Sequence, residues 1–330
     1  MFCEITRKAM GTEFVIMLPA DSVADSYATD AAVEAADLVE QIERDLTVYS
    51  PESEVSKINA SAFREAVYPS KATYRLLKRA TELSQITAGA FDITSAPLVE
   101  AWGFTLRSGR KPSPEQVRQA LSKVGYQNLL LDDSDRSVRF QREGMSINLG
   151  AIGKGDALDR MAALLKEKGV NDFLIHGGNS SVIASGNQYR DSQHCQSPLG
   201  WSVGLAHPTK PQRRLAGLWL KDLALATSGS GKQFFHHQGR RYGHVIDPRT
   251  GFPNGDLLSL TVAMPNATDA DAIATALFVE GSAKTAEYFA VKPFPFAIMT
   301  RSTDQQDKVE VQTLGEIQWI EEPKNLSKPD

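Results

Sequence analysis

Trp201-Ser-Val-Gly-Leu-Ala206, Leu215-Ala-Gly-Leu-Trp-Leu220 and Leu223-Ala-Leu-Ala-Thr227 follow one another with no helical stretch between them. Each is a short apolar or alternating run of the kind that forms a strand. Further strands are expected upstream at 173–178 and 181–184, and downstream at 258–264. An opening strand at 11–18 and a hairpin of 129–131 with 137–140 complete the upstream set, and residues 288–300 and 308–319 finish the fold. Helical spacing marks residues 28–46, 70–87, 156–168 and 269–279. Strands outnumber helices and do not alternate strictly with them, which indicates α+β with mixed or antiparallel sheets and flanking helices rather than a doubly wound sheet. Neither an internal repeat nor a clean linker divides residues 1–330, and residues 1–9 and 321–330 read as peripheral, the latter as a frayed tail.

The 330 residues carry 36 basic and 40 acidic side chains, well interspersed, and 42% hydrophobic residues. That is enough apolar content for a substantial core, while the formal charge of −4 lacks the basic bias of a nucleic-acid binder. No run of apolar residues is long enough to span a membrane. The first ten residues lack the apolar core of a signal peptide, so a cytoplasmic protein is expected, or a periplasmic or membrane-anchored one if an export segment has been trimmed. Cys3 and Cys195 alone build neither a disulfide framework nor a metal cage.

His244-Val-Ile-Asp-Pro-Arg-Thr-Gly251 reads as a strand entering a Pro/Gly turn. A lone histidine near a strand end is more often structural than catalytic, but this turn would hold it rigidly, as proton transfer requires. Asp271-Ala-Ile-Ala-Thr275 places a carboxylate and a hydroxyl at i and i+4 on one helix face. Such an oxygen pair suits Mg²⁺, which takes few protein ligands and leaves room for phosphate. Equally, acidic residues favour a helix N-terminus, a role Asp269 fills as well.

Asn148-Leu-Gly-Ala-Ile-Gly-Lys154-Gly-Asp-Ala-Leu-Asp159 is read as following a strand and opening a helix. Its glycines would let main-chain N–H groups approach phosphate and Lys154 would neutralise it, or the segment is an ordinary turn with a solvated lysine. Neither this stretch nor Ala226-Thr-Ser-Gly-Ser-Gly-Lys232 has the spacing of a P-loop. Gly177-Gly-Asn-Ser-Ser181 is a plain turn or a close approach of backbone to a ligand. Tyr49 offers a flat ring for stacking, and Met10 would line the same pocket; plain core packing is the alternative for both.

Along the chain stand, in order, Met10-Gly-Thr12; Thr47-Val-Tyr49-Ser-Pro-Glu-Ser-Glu54 with Ile58-Asn59; Ala90-Phe-Asp-Ile-Thr94 and Pro97-Leu-Val99 with Trp102-Gly-Phe104; Leu149-Gly-Ala-Ile-Gly-Lys-Gly155 with Asp159; Gly177-Gly178; Thr227-Ser-Gly229; His244 to Gly251; and Ala270 to Phe278. Taken in this order, they resemble the FAD:protein FMN transferases, the ApbE-like family. The resemblance implies a single catalytic unit in two lobes, with FAD between them. By position, Met10, Tyr49, Ala90, Phe91, Asp92, Asn148, Lys154 and Ile246 would line the FAD site. The Ala151 carbonyl, Asp271 and Thr275 would hold Mg²⁺, and His244 would assist proton transfer. It further implies transfer of FMN to a Ser or Thr hydroxyl of an acceptor flavoprotein, with release of AMP. Attack by water instead would make an FAD pyrophosphatase, and loss of chemistry altogether a flavin-binding protein. Asn148 and Asn179 stand where the family often has acidic residues, and Ser230-Gly231 where it often has bulkier or more polar ones.

Overall fold

The computed structural model describes residues 2–19, 26–105, 108–189, 199–231, 234–253, 255–303 and 308–327. Cys195, Lys232 and residues 106–107 of the basic loop lie outside them. The architecture is α+β, as expected from the strand-rich order. A nine-stranded sheet runs β1-β2-β5-β6-β9-β12-β13-β14-β16. In chain order these are β1 (Phe2–Ala9), β2 (Thr12–Pro19), β5 (Phe173–Gly177), β6 (Ser181–Ser185), β9 (Leu223–Gly229), β12 (Leu257–Met264), β13 (Phe296–Ser302), β14 (Val309–Gly315) and β16 (Leu326–Ser327). Every pairing in it is antiparallel except β14 with β16.

Side-chain alternation gives this sheet two apolar faces. Phe173 and Ile175 point into the helical layer, whereas Leu174 between them points to the other side. There a three-stranded sheet, β7 (Trp201–Ala206), β8 (Arg214–Leu220) and β15 (Trp319–Glu321), covers it with Trp201, Leu218 and Leu220. The helical layer holds α1 (Ser26–Leu46), α3 (Lys71–Ile86), α6 (Gly153–Glu167) and α7 (Ala267–Glu280). Helix α1 presents Ala28, Ala32, Ala35, Val39 and Ile42 as its buried stripe. Helix α7 is buried on nearly every side, with only Thr268, Thr275 and Glu280 outside its buried set. A third cluster gathers Trp102, Phe104, Tyr242 and Ile246. It joins α4 (Ala96–Ala101) and α5 (Pro114–Leu121) to the hairpin β10 (Phe234–His237) with β11 (Arg240–Gly243). Among the described residues no helix is long and apolar enough to cross a membrane.

The structure corrects the sequence reading in four places. Residues 146–149 form no strand: Asn59 brackets Ile147, accepting from its N–H at 2.7 Å and donating to its carbonyl at 3.0 Å. A side-chain amide there does what a neighbouring strand would do. Residues 244–247 also lie outside any strand, because β11 ends at Gly243. Residues 2–9, read as peripheral, are an edge strand in register with all of β2. The tail is no frayed end as far as residue 327, since Glu321 pairs with Gly217 and Leu326 with Val311. Helices α2 (Glu54–Ser61), α4, α5 and α8 (Ser282–Val291) have no counterpart in the sequence reading; α2 is capped by Ser53, whose hydroxyl accepts from Ser56 N–H.

Candidate functional site

The site is built where the N-terminal turns of α6 and α7 touch. A Cβ on Gly155 would lie 2.2 Å from the Ala267 carbonyl oxygen, so only glycine admits this approach. Asp159, one turn further along α6, accepts from the Ala267 and Thr268 amides at 2.8 Å each and caps α7. Burial pushes the Asp159 carboxyl up, and these bonds pull it back.

Asp271 is 6% exposed. Its Oδ2 accepts from the Gly155 amide at 2.8 Å and lies 3.7 Å from Lys154 Nζ, while Oδ1 accepts from the Ser181 hydroxyl at 2.7 Å. One turn on, the Thr275 hydroxyl donates to the Asp271 carbonyl at 3.0 Å and sits 3.1 Å from Ser228 Oγ. Ala151 occupies the turn that delivers Lys154 and Gly155, just before α6. The donor set fits a hard cation: a buried carboxylate with lone pairs to spare, a hydroxyl whose proton is already placed, and a main-chain carbonyl nearby in sequence. Among the described residues no cluster of three or more His, Cys, Asp or Glu competes as a metal site. Asp269 takes the other role considered for acidic residues here. It lies in the first turn of α7 and is held by both Arg79 Nε and Nη2, at 2.8 and 2.6 Å.

His244 leaves β11 beside an aromatic wall, its ring edge-on to Phe104 at 6.3 Å between centroids. The turn after it is braced internally. Asp247, almost fully buried, accepts from the Arg249 amide and Nε at 2.9 Å each, and its carbonyl accepts from Gly251 N–H at 2.8 Å. Trp102 Nε1 donates to the Gly251 carbonyl at 2.8 Å, which ties the turn to α4. Ile246 packs into that cluster. Sequence reasoning took the Asp-Pro-x-Thr-Gly turn as the source of rigidity, and its hydrogen bonds supply it.

The remaining candidates divide by burial. Tyr49 is 75% exposed, which overturns the core-packing alternative and leaves its ring face available. Met10 is half-buried in a left-handed turn (φ 51°), its N–H donating to Glu43 Oε1 at 2.7 Å. Beside that turn, Lys8, Glu13, Glu43, His176 and Asn179 line a cleft of about 530 Å³. Tyr49 follows the end of α1, where Leu46 abuts Gly153 at the start of α6. Ala90 and Phe91 are core residues, so that segment offers a ligand its main chain rather than these side chains. Asp92 is likewise engaged: it accepts from Thr94 N–H, Thr94 Oγ1 and Tyr126 N–H at 2.7–2.9 Å, against a burial that pushes its carboxyl up. The Asn148 side-chain oxygen accepts from Gly150 N–H at 2.8 Å, and its main-chain N–H donates to the Ile93 carbonyl at 2.9 Å, joining the 90–94 and 148–155 segments.

The fold thus brings Lys154, Asp271 and Thr275 together, ties Asn148 to the segment of Asp92, and sets His244 and Ile246 on the wall of α4. The sequence reading named Ser181 only as the end of the 177–181 turn, did not single out Glu43, and gave Asp159 no capping role. The Gly155-to-Asp159 spacing on one helix face was the available sign for the cap; nothing in the sequence marks the Ser181 hydroxyl as a partner of Asp271.

A sequence profile of the ApbE family matches residues 10–296. The FAD:protein FMN transferase of Treponema pallidum is 32% identical over 257 residues, 75% of this chain and 70% of that one. Its namesake from Vibrio cholerae serotype O1 is 28% identical over 305 residues, 91% of this chain and 88% of the relative. Among solved structures, the apbe protein of Thermotoga maritima is similar with a TM-score of 0.79 and 30% identity, covering 91% of this chain and 94% of that one. The flavin transferase ApbE from Vibrio cholerae follows the same fold with a TM-score of 0.77 and 27% identity, covering 94% and 96%.

Proposed function

The chain belongs to the ApbE family, and on that premise we propose that it transfers FMN from FAD to a Ser or Thr hydroxyl of an acceptor flavoprotein, releasing AMP in a Mg²⁺-dependent reaction. The observation that carries this reading is the meeting of Lys154, Asp271 and the start of α6, where Asp271 accepts from the Gly155 amide and lies near the Lys154 ammonium. The positive end of a helix and an ammonium favour an anion such as a pyrophosphate. Mg²⁺, held by Asp271, Thr275 and the Ala151 carbonyl, would supply charge neutralisation and a fixed template for phosphate oxygens.

Lys154 holds the pyrophosphate and lies 3.7 Å from Asp271, so its charge is shared between protein and substrate. Tyr49 stacks on a flavin or adenine ring, and the main chain of 90–92 with Met10 and Ile246 shapes the walls. The acceptor hydroxyl oxygen attacks the phosphorus on the flavin side. A P–O bond forms there as the bond to the bridging oxygen breaks, and AMP leaves with that oxygen. His244 takes the hydroxyl proton, an arrangement that needs a rigid imidazole within hydrogen-bond reach. The braced turn at 247–251 provides the rigidity.

The test is incubation with FAD and a competent acceptor subunit, with and without Mg²⁺, followed by mass spectrometry and chromatography of nucleotides. The acceptor gains the mass of one FMN and AMP appears, both only with Mg²⁺. His244→Ala lowers the rate by about 10²- to 10⁴-fold, the range for a lost general base, with FAD affinity retained. FMN and AMP without adduct would assign hydrolysis instead, and tight FAD binding without turnover a binding protein.

A further inference from the structure

Asp271 and Thr275 each meet a serine rising from the sheet beneath α7. Ser181, wholly buried on β6, donates to Asp271 Oδ1 at 2.7 Å; Ser228 on β9 lies 3.1 Å from Thr275 Oγ1. Strand register explains the pairing. Ser181 is opposite Ala226 across β6 and β9, and Ser228 is two residues beyond Ala226, so both serines project from one face. Diagonal neighbours of this kind are about 7–8 Å apart, comparable with the ~6 Å between positions i and i+4 of a helix. Each strand therefore addresses one of the two helix positions.

We propose that Ser181 and Ser228 are positioning residues that fix the carboxylate and hydroxyl which would hold the divalent cation; this rests on the cation assignment made above. The Gly155 amide restrains one oxygen of Asp271 only, and a carboxylate held at one oxygen pivots. Lys154, 3.7 Å from that same oxygen, adds an off-axis pull. The Ser181 bond to the second oxygen fixes the carboxylate plane. Thr275 commits its proton to the Asp271 carbonyl, so Ser228 acts as donor to Thr275 and orients its oxygen. Groups behind metal ligands characteristically set affinity in this way.

A purely structural serine would satisfy a buried carboxylate and no more, and the experiment separates the two roles. The probe is Mn²⁺ alone, titrated into protein without FAD and followed by water-proton relaxation, with thermal melting in parallel. Ser84→Ala is the control: Ser84 is equally buried, but its hydroxyl donates only to the Ala80 carbonyl. Ser181→Ala weakens Mn²⁺ binding about tenfold or more, and Ser84→Ala leaves it unchanged at a comparable loss of Tm. Ser228→Ala weakens it by a smaller factor, and Ser181→Thr, which keeps the hydroxyl, restores much of the affinity. If the Ser181 variants do not fold, the half-buried Ser228→Ala carries the same comparison. Binding lost in Asp271→Ala but within about twofold of the parent in both serine-to-alanine variants, against the loss expected for such groups, would overturn the brace alone. No Mn²⁺ binding by the parent protein would overturn the cation assignment, and the brace with it, while FMN transfer would still stand or fall on its own assay.

Discussion

Two aspartates two residues apart on α7 show how much a single side chain's surroundings decide. Asp269 is spent on Arg79, whereas Asp271 is held by a main-chain amide and a hydroxyl with a lysine at longer range. Only the second keeps an oxygen surface that a cation can use. His176 carries a different consequence of burial. It lines the cleft beside the Met10 turn, its Nδ1 has no hydrogen-bond partner among the described residues, and burial holds its pKa below 6.5 against the upward pull of Glu4 and Glu13. As pH falls, the unfolded chain takes up this proton before the folded one does. The stability associated with a neutral His176 is therefore present above 6.5 and is lost as pH falls through 6.5 toward the lower folded value. Between about pH 7.5 and 5.5, His176→Asn should lose less Tm than the parent. An equal loss in both proteins would mean that His176 takes up its proton as readily in the folded state.

At the scale of elements, the α6–α7 contact organises the site. Gly155 permits it, Asp159 closes the end of α7, and the Gly155 amide reaches Asp271 because the two helices touch. Gly155→Ala puts a methyl 2.2 Å from a carbonyl oxygen of the backbone, which no rotamer relieves. The helices must separate, at a cost of about 3 kcal/mol, the upper end for overpacking. Urea denaturation would read this as a lower midpoint, with FAD affinity falling alongside it as Asp271 loses its amide. An unchanged midpoint would show that the two helices have slack between them. Helix α7 was legible from residues 269–279, but its role was not. Apolar periodicity reveals a buried helix, whereas the capping of that helix by another is a contact between distant segments.

At the scale of the whole molecule, the outermost strands of the large sheet are residues 2–9 and 326–327. Strand β1 covers one edge, and the tail covers the other: Leu326 and Ser327 pair with β14, and the Asn325 and Ser327 side chains bond the Val309 and Val311 carbonyls at 3.1 Å. Truncation after Pro323 removes these bonds and exposes the edge of β14. Each net hydrogen bond contributes about 1 kcal/mol, so Tm falls and the bare edge favours self-association. Light scattering during the melt would detect it; a truncated protein that melts and scatters like the parent would make the tail dispensable.

The sequence by itself determined the strand-rich α+β class and the positions of most strands and long helices, because alternation and helical spacing are properties of consecutive residues. It also marked His244, Lys154, Asp271 and Thr275 as candidates, because residue type and spacing are local properties, and the order of its motifs carried the family. Tertiary structure alone decided what those residues touch. That Asp271 faces Ser181 and not Arg79, that Asp92 also accepts from the Tyr126 amide, that Tyr49 lies exposed and that residues 146–149 and 244–247 are held without a ladder all depend on how segments apart in the chain come together. Such contacts arise from sheet register and helix approach, and neither leaves a periodic signal in the residues that make them.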